Sequence, residues 1–383
     1  MGLNPRFHKE AEEINIVLFS AICYNTHMAD IAQQIKDIED VLKKTPHHKA
    51  TNGFIGGMRA KIARLKDKEV EVSSQGKGGG GGGYAVKKQG DATIVLIGPP
   101  SAGKSTLINL LTNAESKVAA YAFTTVSVIP GMLKYRDGYI QILDVPGLIE
   151  GASIGKGRGR EVLSVARGAD LLVIMTDPER LKFFDQILLE LEKAGIRINK
   201  KRPDVRVEKE IAGGLTVVSN IKQDYDLNDI KGIAQEFGIK NGKIILKEKV
   251  TIDQIIDSFS ERIVYKNAIF VVNKADTHEG HRYEDLIYIS ADKEQGIEEL
   301  KEIIWQNLKL VTVYLVEKSD KPNTENPVIM KENDTLTDVA RSIGSEFLES
   351  TNLAKIWGNG SKFDGQEMPL STKVQNGMQV RFI

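Results

Sequence analysis

ATIVLIGPPSAGKST, Ala92 to Thr106, decides the fold. Ala92 to Ile97 form a short, apolar, β-branched run, which reads as a buried strand. Gly98 to Thr106 fit the spacing G-x-x-x-x-G-K-[ST], and a helical run follows them. Strand, glycine loop and helix in that order form a phosphate loop. Gly98, Pro99, Pro100, Ser101, Ala102 and Gly103 let the backbone curl so that its N–H groups face a phosphate, Lys104 neutralises the β and γ oxygens, and Ser105, followed by Thr106, offers a hydroxyl to magnesium.

Working outward, "YIQILD", "DLLVIMT", "NAIFVV" and "DLIYI" repeat the strand pattern between helical stretches. That alternation predicts an α/β fold with a mostly parallel sheet and helices on both faces. "AYAFTTVSVIPG", Ala120 to Gly131, falls between the first helix and the next strand and reads as a loop. A threonine there can close over magnesium and the γ-phosphate; the other reading is an ordinary polar loop. Asp144, Val145, Pro146 and Gly147 end "YIQILD" as D-x-x-G. Asp144 would hold magnesium through a water, and the N–H of Gly147 would meet the γ-phosphate and release its loop when that group is lost. "VVNKAD" ends a further strand with N-K-x-D. Asp276 can accept from guanine N1–H and the 2-amino group, Asn273 can reach the O6 edge, and the Lys274 stem can lie over the ring. In "YISAD", Ser290 and Ala291 supply a loop whose backbone would meet O6.

The 383 residues, 41% of them hydrophobic, suffice for two to three domains. With 52 basic against 52 acidic residues, the chain has no bulk attraction to nucleic acid or membrane. Cys23 is the only cysteine, which excludes an intramolecular disulfide framework or a cysteine zinc cluster and suits a reducing, cytoplasmic setting. "INIVLFSAICY" is too short to span a bilayer, so no membrane partner is expected. Residues 1–27 read as an extension ahead of a second candidate start at Met28. Ile31, Ile35, Ile38 and Leu42, then Ile55, Met58, Ile62 and Leu65, recur at helical spacing on either side of Pro46. They predict a helical hairpin over 28–75, serving as a structural unit or as a contact arm. The glycine run of 76–90 is a linker. Residues 91–310 form the nucleotide domain, and the roughly 90 residues between "DLLVIMT" and "NAIFVV" exceed one crossover, so a strand–helix–strand–helix insertion is placed at about 199–262. The tail, 311–383, reads as a compact mixed domain with strands "VTVYLVE", "LAKIW" and "MQVRFI" and a helix from Thr335.

With these motifs in place the chain resembles a TRAFAC-class GTPase of the Obg-like branch, the developmentally regulated GTP-binding proteins, in an archaeal-looking short form. "KTPHHKAT", "FTTVSVIPG", "DVPGLIEGASIGKGRGREV", "NKKRPDVRVEKEIAGGLTV" and "VVNKAD" carry the resemblance, and the tail looks like a TGS domain, a β-grasp fold. The resemblance implies binding and hydrolysis of GTP to GDP, Mg2+, a helical arm, association with ribosomes or ribosomal RNA or translation factors, and a regulatory partner protein. It puts Phe123, Thr124 and Thr125 at the nucleotide, with Thr125 on magnesium. Ser101 stands where cation-dependent relatives often carry an asparagine that binds K+, which leaves potassium activation open.

Leu148 follows the D-x-x-G where many GTPases place a water-orienting glutamine. Intrinsic turnover should therefore be slow. The missing charge could come from a monovalent cation or from Arg158 or Arg160, in a loop whose cations are separated by glycines; alternatively those charges bind RNA or stay solvated. The basic stretch Lys200 to Lys209, with the arm, is the candidate contact for ribosomal RNA, and solvated surface is its equal rival. A nucleotide-dependent RNA-binding scaffold with negligible hydrolysis is the main competing function. "NKAD" disfavours an ATPase or kinase.

Overall fold

The computed structural model describes residues 30–46, 51–75, 89–112, 129–144, 159–277, 280–317, 324–349 and 351–383. Helix α1 covers 30–44 and α2 covers Asn52–Gln75, with Pro46 in the break between them. Strand β1 (Ala92–Ile97) is buried along its whole length and leads into α3 (Lys104–Leu111). Then come β2 (Ile129–Tyr135), β3 (Gly138–Asp144), α4 (Gly159–Gly168), β4 (Leu171–Thr176), a 3-10 turn at Pro178–Arg180, α5 (Phe183–Lys193) and β5 (Ile196–Ile198). The inserted stretch contributes β6 (Val205–Lys209), β7 (Leu215–Ser219), α6 (Leu227–Glu236), β8 (Gly242–Leu246) and α7 (Ile252–Phe259). The chain returns through β9 (Val264–Val272), β10 (Ile287–Tyr288) and α8 (Ile297–Leu308). It ends with β11 (Leu310–Leu315), β12 (Pro327–Lys331), α9 (Leu336–Ile343), α10 (Ser345–Glu349), β13 (Leu353–Trp357), β14 (Gln366–Pro369) and β15 (Gln379–Phe382).

Two compact units divide these elements: one holds residues 1–83 and 201–265, the other 84–200 and 266–383. In the larger unit the main sheet runs β10-β9-β4-β1-β3-β2, with β5 alongside β9. The pairs β1–β3, β1–β4, β4–β9 and β9–β10 are parallel, and the β2–β3 pair is antiparallel. Alternate residues of the central strands, Ile94, Leu96, Val173, Met175 and Val271, join one core with Leu107 of α3 and Leu300 of α8. On the other face Phe270 meets Phe184 of α5 edge to face, centroids 5.4 Å apart. Both faces are thus covered, as parallel strands require. Because β1 lies between β3 and β4, the order reverses beside it, and the loop leaving its carboxyl end opens at the switch point where α/β sheets bind ligands.

Strand β2 corrects the loop expected through Gly131: Ile129, Pro130 and Gly131 already pair with Asp144, Leu143 and Ile142. Proline is tolerated because the strand is at the sheet edge. Glycine is needed because a Cβ at Gly131 would lie 2.5 Å from Thr112 Cγ2 at the end of α3. The tail forms a second sheet, β12-β11-β15-β13-β14, whose buried Val313, Ile356 and Val380 pack on Leu336 and Val339 of α9.

In the smaller unit β6-β8-β7 carry α6 and α7, and α2 shares their core: Ala60 is fully buried with Ile230, Ile233, Ile244 and Ile255. Arg59 pairs with Asp253 at 3.1 Å, and Arg64 donates to the Glu236 carbonyl. Hairpin and insertion, separate pieces in the sequence reading, are here one body. The basic stretch Lys200 to Lys209 also reads differently. Its second half is β6, and three of its cations are neutralised, Lys200 by Glu192 (2.8 Å), Lys201 by Glu248 (3.2 Å) and Arg206 by Asp204 (3.7 Å).

Candidate functional site

The loop Gly98 to Gly103 turns from β1 into α3 with two glycines at which a side chain would be crowded. A Cβ at Gly98 would lie 2.1 Å from the Met175 carbonyl oxygen, and one at Gly103, where φ is +89°, 2.2 Å from Asn273 Nδ2. Ser101 is also left-handed, at φ +62°, a conformation uncommon outside glycine. Lys104, 8% exposed, curls back so that its ammonium donates to the carbonyls of Gly98 (3.0 Å) and Pro99 (3.1 Å). Burial pushes its pKa down and the Arg180 charge adds to this, while Asp144 opposes both.

Asp144, 4% exposed at the end of β3, faces the first turn of α3. Ser105 Oγ donates to its Oδ2 at 3.1 Å, whereas Oδ1 is buried without a partner. Burial raises the carboxyl's pKa, against the pull of Lys104 and Ser105. A lone buried carboxylate oxygen beside a hydroxyl is a hard-oxygen donor set of the kind magnesium selects. These two residues therefore fit the ion.

Ser101, Gly103, Lys104, Ser105, Thr106, Asn273, Lys274 and Asp292 line one cavity of about 350 Å³. The fold thus brings the phosphate loop and the N-K-x-D segment to a common opening. Asp276 is exposed, in a 3-10 turn at Ala275–Thr277, and Lys274 is half-buried at φ +60°. Asp292 was not singled out from the sequence, although it closes the "YISAD" run. Asn273 links two loops of the site. It is 3% exposed, its Nδ2 donates to the Ala102 carbonyl (2.9 Å), and its Oδ1 accepts from Ala291 N (2.9 Å). A buried amide must satisfy both ends, and here it ties the phosphate loop to the "SAD" loop. The Ala291 N–H of this tie belongs to the loop whose backbone is expected near O6. Ser290, 1% exposed, accepts from Lys293 N at 3.2 Å and holds the same loop.

Phe123, Thr124, Thr125, Val145, Pro146, Gly147, Leu148 and Arg158 lie outside the described residues, and Arg160 is described only as backbone of α4. Among the described residues no helix is long and apolar enough to cross a membrane.

Family models match the chain end to end from the phosphate-loop strand onward: the 50S ribosome-binding GTPase model over residues 93–209, the C-terminal region of that domain over 212–310, and the TGS domain over 311–383. Developmentally-regulated G-protein 3 of Arabidopsis thaliana is 37% identical over 351 residues, 89% of this chain and 95% of the relative. The chain belongs to the developmentally regulated GTP-binding protein family. Another relative in this family, developmentally-regulated GTP-binding protein 2 homolog of Dictyostelium discoideum, is 35% identical over 90% of this chain and 97% of its own length. An uncharacterized GTP-binding protein of Methanocaldococcus jannaschii is 40% identical over 91% of each chain. Family membership agrees with the fold: a P-loop GTPase domain with a mostly parallel sheet, followed by a TGS domain.

Proposed function

We propose that this family member binds GTP with Mg2+ and hydrolyses it slowly to GDP and phosphate, as a cytoplasmic switch associated with ribosomes or translation. The observation that carries the reading is the Ser105–Asp144 contact, with Asp144 Oδ1 buried and unpartnered next to buried Lys104. Magnesium, held by Ser105, Asp144 and Thr125, would neutralise charge on the β and γ oxygens. Lys104, released from the loop carbonyls, takes up the remaining charge on those oxygens. Water attacks the γ-phosphorus, the bond to the β–γ bridging oxygen breaks with its electron pair leaving on GDP, and the water's protons end on phosphate and solvent. Gly147 N–H would report the γ-phosphate. Asp276 reads the guanine edge, and Lys274 covers the ring. Leu148 cannot orient the water, so Arg158, Arg160 or K+ supplies the further charge.

The test is multiple-turnover phosphate release with GTP or ATP, in Mg2+ or chelator, and in K+ or Na+. GTP-only, Mg2+-dependent release is expected. Release from ATP at a matching rate would sink the guanine assignment, and GTP binding without release would favour the scaffold. Asp276→Asn should exchange preference from guanosine toward xanthosine triphosphate, because an amide can donate to the xanthine 2-oxo group.

The family model's description as ribosome-binding supports the ribosomal part of the reading. Lys200, Lys201 and Arg206 would exchange exposed, weak ion pairs for phosphates in such a contact. Sedimentation with ribosomes in GTP, GDP and a non-hydrolysable analogue tests it. Equal association in all three states would argue against a switch.

A further inference from the structure

A pair of charged residues that belongs to none of the motifs touches the phosphate loop. Asp177 follows β4 directly and is 6% exposed; Arg180 closes the 3-10 turn after it. Arg180 Nε donates to both Asp177 oxygens (3.2 and 3.0 Å), and Nη2 also bonds Oδ2. The other arm of the guanidinium, Nη1, donates to the Pro100 carbonyl at 3.1 Å. Thr176 Oγ1 donates to the Arg180 carbonyl at 3.2 Å, and the guanidinium lies over the Phe183 ring, 5.9 Å from its centroid. The side chain is thus held at three places, one of them on the phosphate loop, and the backbone at a fourth.

A loop that receives an anion must turn its carbonyls away from it. Three successive carbonyls here are each held by a cation: Gly98 and Pro99 by Lys104, Pro100 by Arg180. Among these, the Lys104 bonds must give way if the ammonium is to reach a phosphate; the Arg180 bond need not. A trans peptide points its carbonyl and its N–H to opposite sides, and the chain has no cis peptide among the described residues. Fixing the Pro100 carbonyl on Arg180 therefore directs the Ser101 N–H away from Arg180. It also holds Ser101, which lines the cavity, in its left-handed conformation.

We propose that Asp177 and Arg180 form a brace that fixes the Pro100–Ser101 peptide of the phosphate loop, making Arg180 a positioning residue for the polyphosphate of the bound nucleotide. The inference rests on the reading of the cavity as a GTP site. Arg180 holds the Asp177 carboxyl below the usual carboxylate range, with the Lys274 charge adding to it, so the brace is ionised at neutral pH. Arginine suits the position because its planar fork serves two acceptors at once, which an ammonium on a flexible stem does less well.

The test measures affinity of the full chain for GMP, GDP and a non-hydrolysable GTP analogue, together with nucleotide-free thermal stability, for wild type, Arg180→Ala, Arg180→Lys and Asp177→Asn. Arg180→Ala should weaken GDP and the GTP analogue by about tenfold or more, the scale of one charge-assisted hydrogen bond. It should leave GMP much less affected, and Arg180→Lys and Asp177→Asn should recover part of the loss. Unchanged polyphosphate affinity overturns the brace. Equal weakening of GMP overturns it too, since the effect would then lie at the base. So does a loss without recovery in the lysine variant that tracks a fall in nucleotide-free stability, as a merely structural residue would give. If the wild-type chain binds none of the three nucleotides, the GTP reading fails instead, independently of the brace.

Discussion

Gly103 shows how tightly single positions are specified in the loop. With φ at +89° and Asn273 Nδ2 2.2 Å from where a Cβ would sit, Gly103→Ala must either strain the backbone or break the Asn273 tie. A left-handed alanine costs roughly 1–2 kcal/mol, so nucleotide affinity should fall by about tenfold or more, measured by titration with labelled GDP. An affinity within twofold of wild type would show that the tie is dispensable. Tyr225 makes a pH-dependent prediction. Its hydroxyl donates to Gln223 Oε1 at 3.1 Å, and burial, helped by the Asp224 charge, pushes its pKa up to about 12. An unfolded tyrosine titrates near 10, so this stabilisation is complete below about pH 10 and is lost as pH rises through about 12. In Tyr225→Phe, the alkaline fall in stability between those limits should flatten; an unaltered profile by circular dichroism would refute the assignment. At this scale the sequence was readable where ligand chemistry fixes spacing, as in the strand, loop and helix around Gly98 to Thr106. It was silent about the burial of Asn273, which only the fold reveals, and about Arg180, which belongs to no pattern.

Among the elements, the parallel strands were legible because β1 and β4 are continuous apolar runs buried on both faces. Strand β2 was not, because Pro130 and Gly131 look like turn residues until the edge position and the approach of Thr112 are known. Strand β6 was obscured by its charges, which alternate with Val205 and Val207 in the way expected of a strand with one solvated face. Helix α7 carries a full capping box: Gln254 N donates to Thr251 Oγ1 at 3.2 Å, and Thr251 N donates to Gln254 Oε1 at 2.8 Å. Thr251→Ala should cost about 1 kcal/mol, read as a lower denaturant midpoint for the unit holding α7, with nucleotide affinity unchanged. No change in the midpoint would mean that the cap is redundant.

For the whole molecule, the TGS sheet is not a loosely hung appendage of the larger unit. Ile329 of β12 packs on the core that contains Trp305 and Leu310, Trp305 abuts Gly138 at the β2–β3 turn, and Lys331 pairs with Asp170 at 2.7 Å while Asp170 also accepts from Thr93 N. Trp305→Ala should destabilise the larger unit by about 3–5 kcal/mol and move the nucleotide-domain and TGS unfolding signals together. Separate transitions would show that the two parts fold independently. The smaller unit is the aspect least legible in sequence. Periodicity identified its helices, but nothing local announces that Ala60 and Ile233 share a core. That discontinuity has a consequence for biosynthesis. The hairpin is made first, yet its partners α6 and α7 end only at Phe259. At about 5–20 residues per second, the apolar face of α2 waits on the order of ten seconds or more for its cover. During that interval the nascent chain carries an unsatisfied surface just outside the exit tunnel, open to capture by a chaperone before the rest of its own fold arrives.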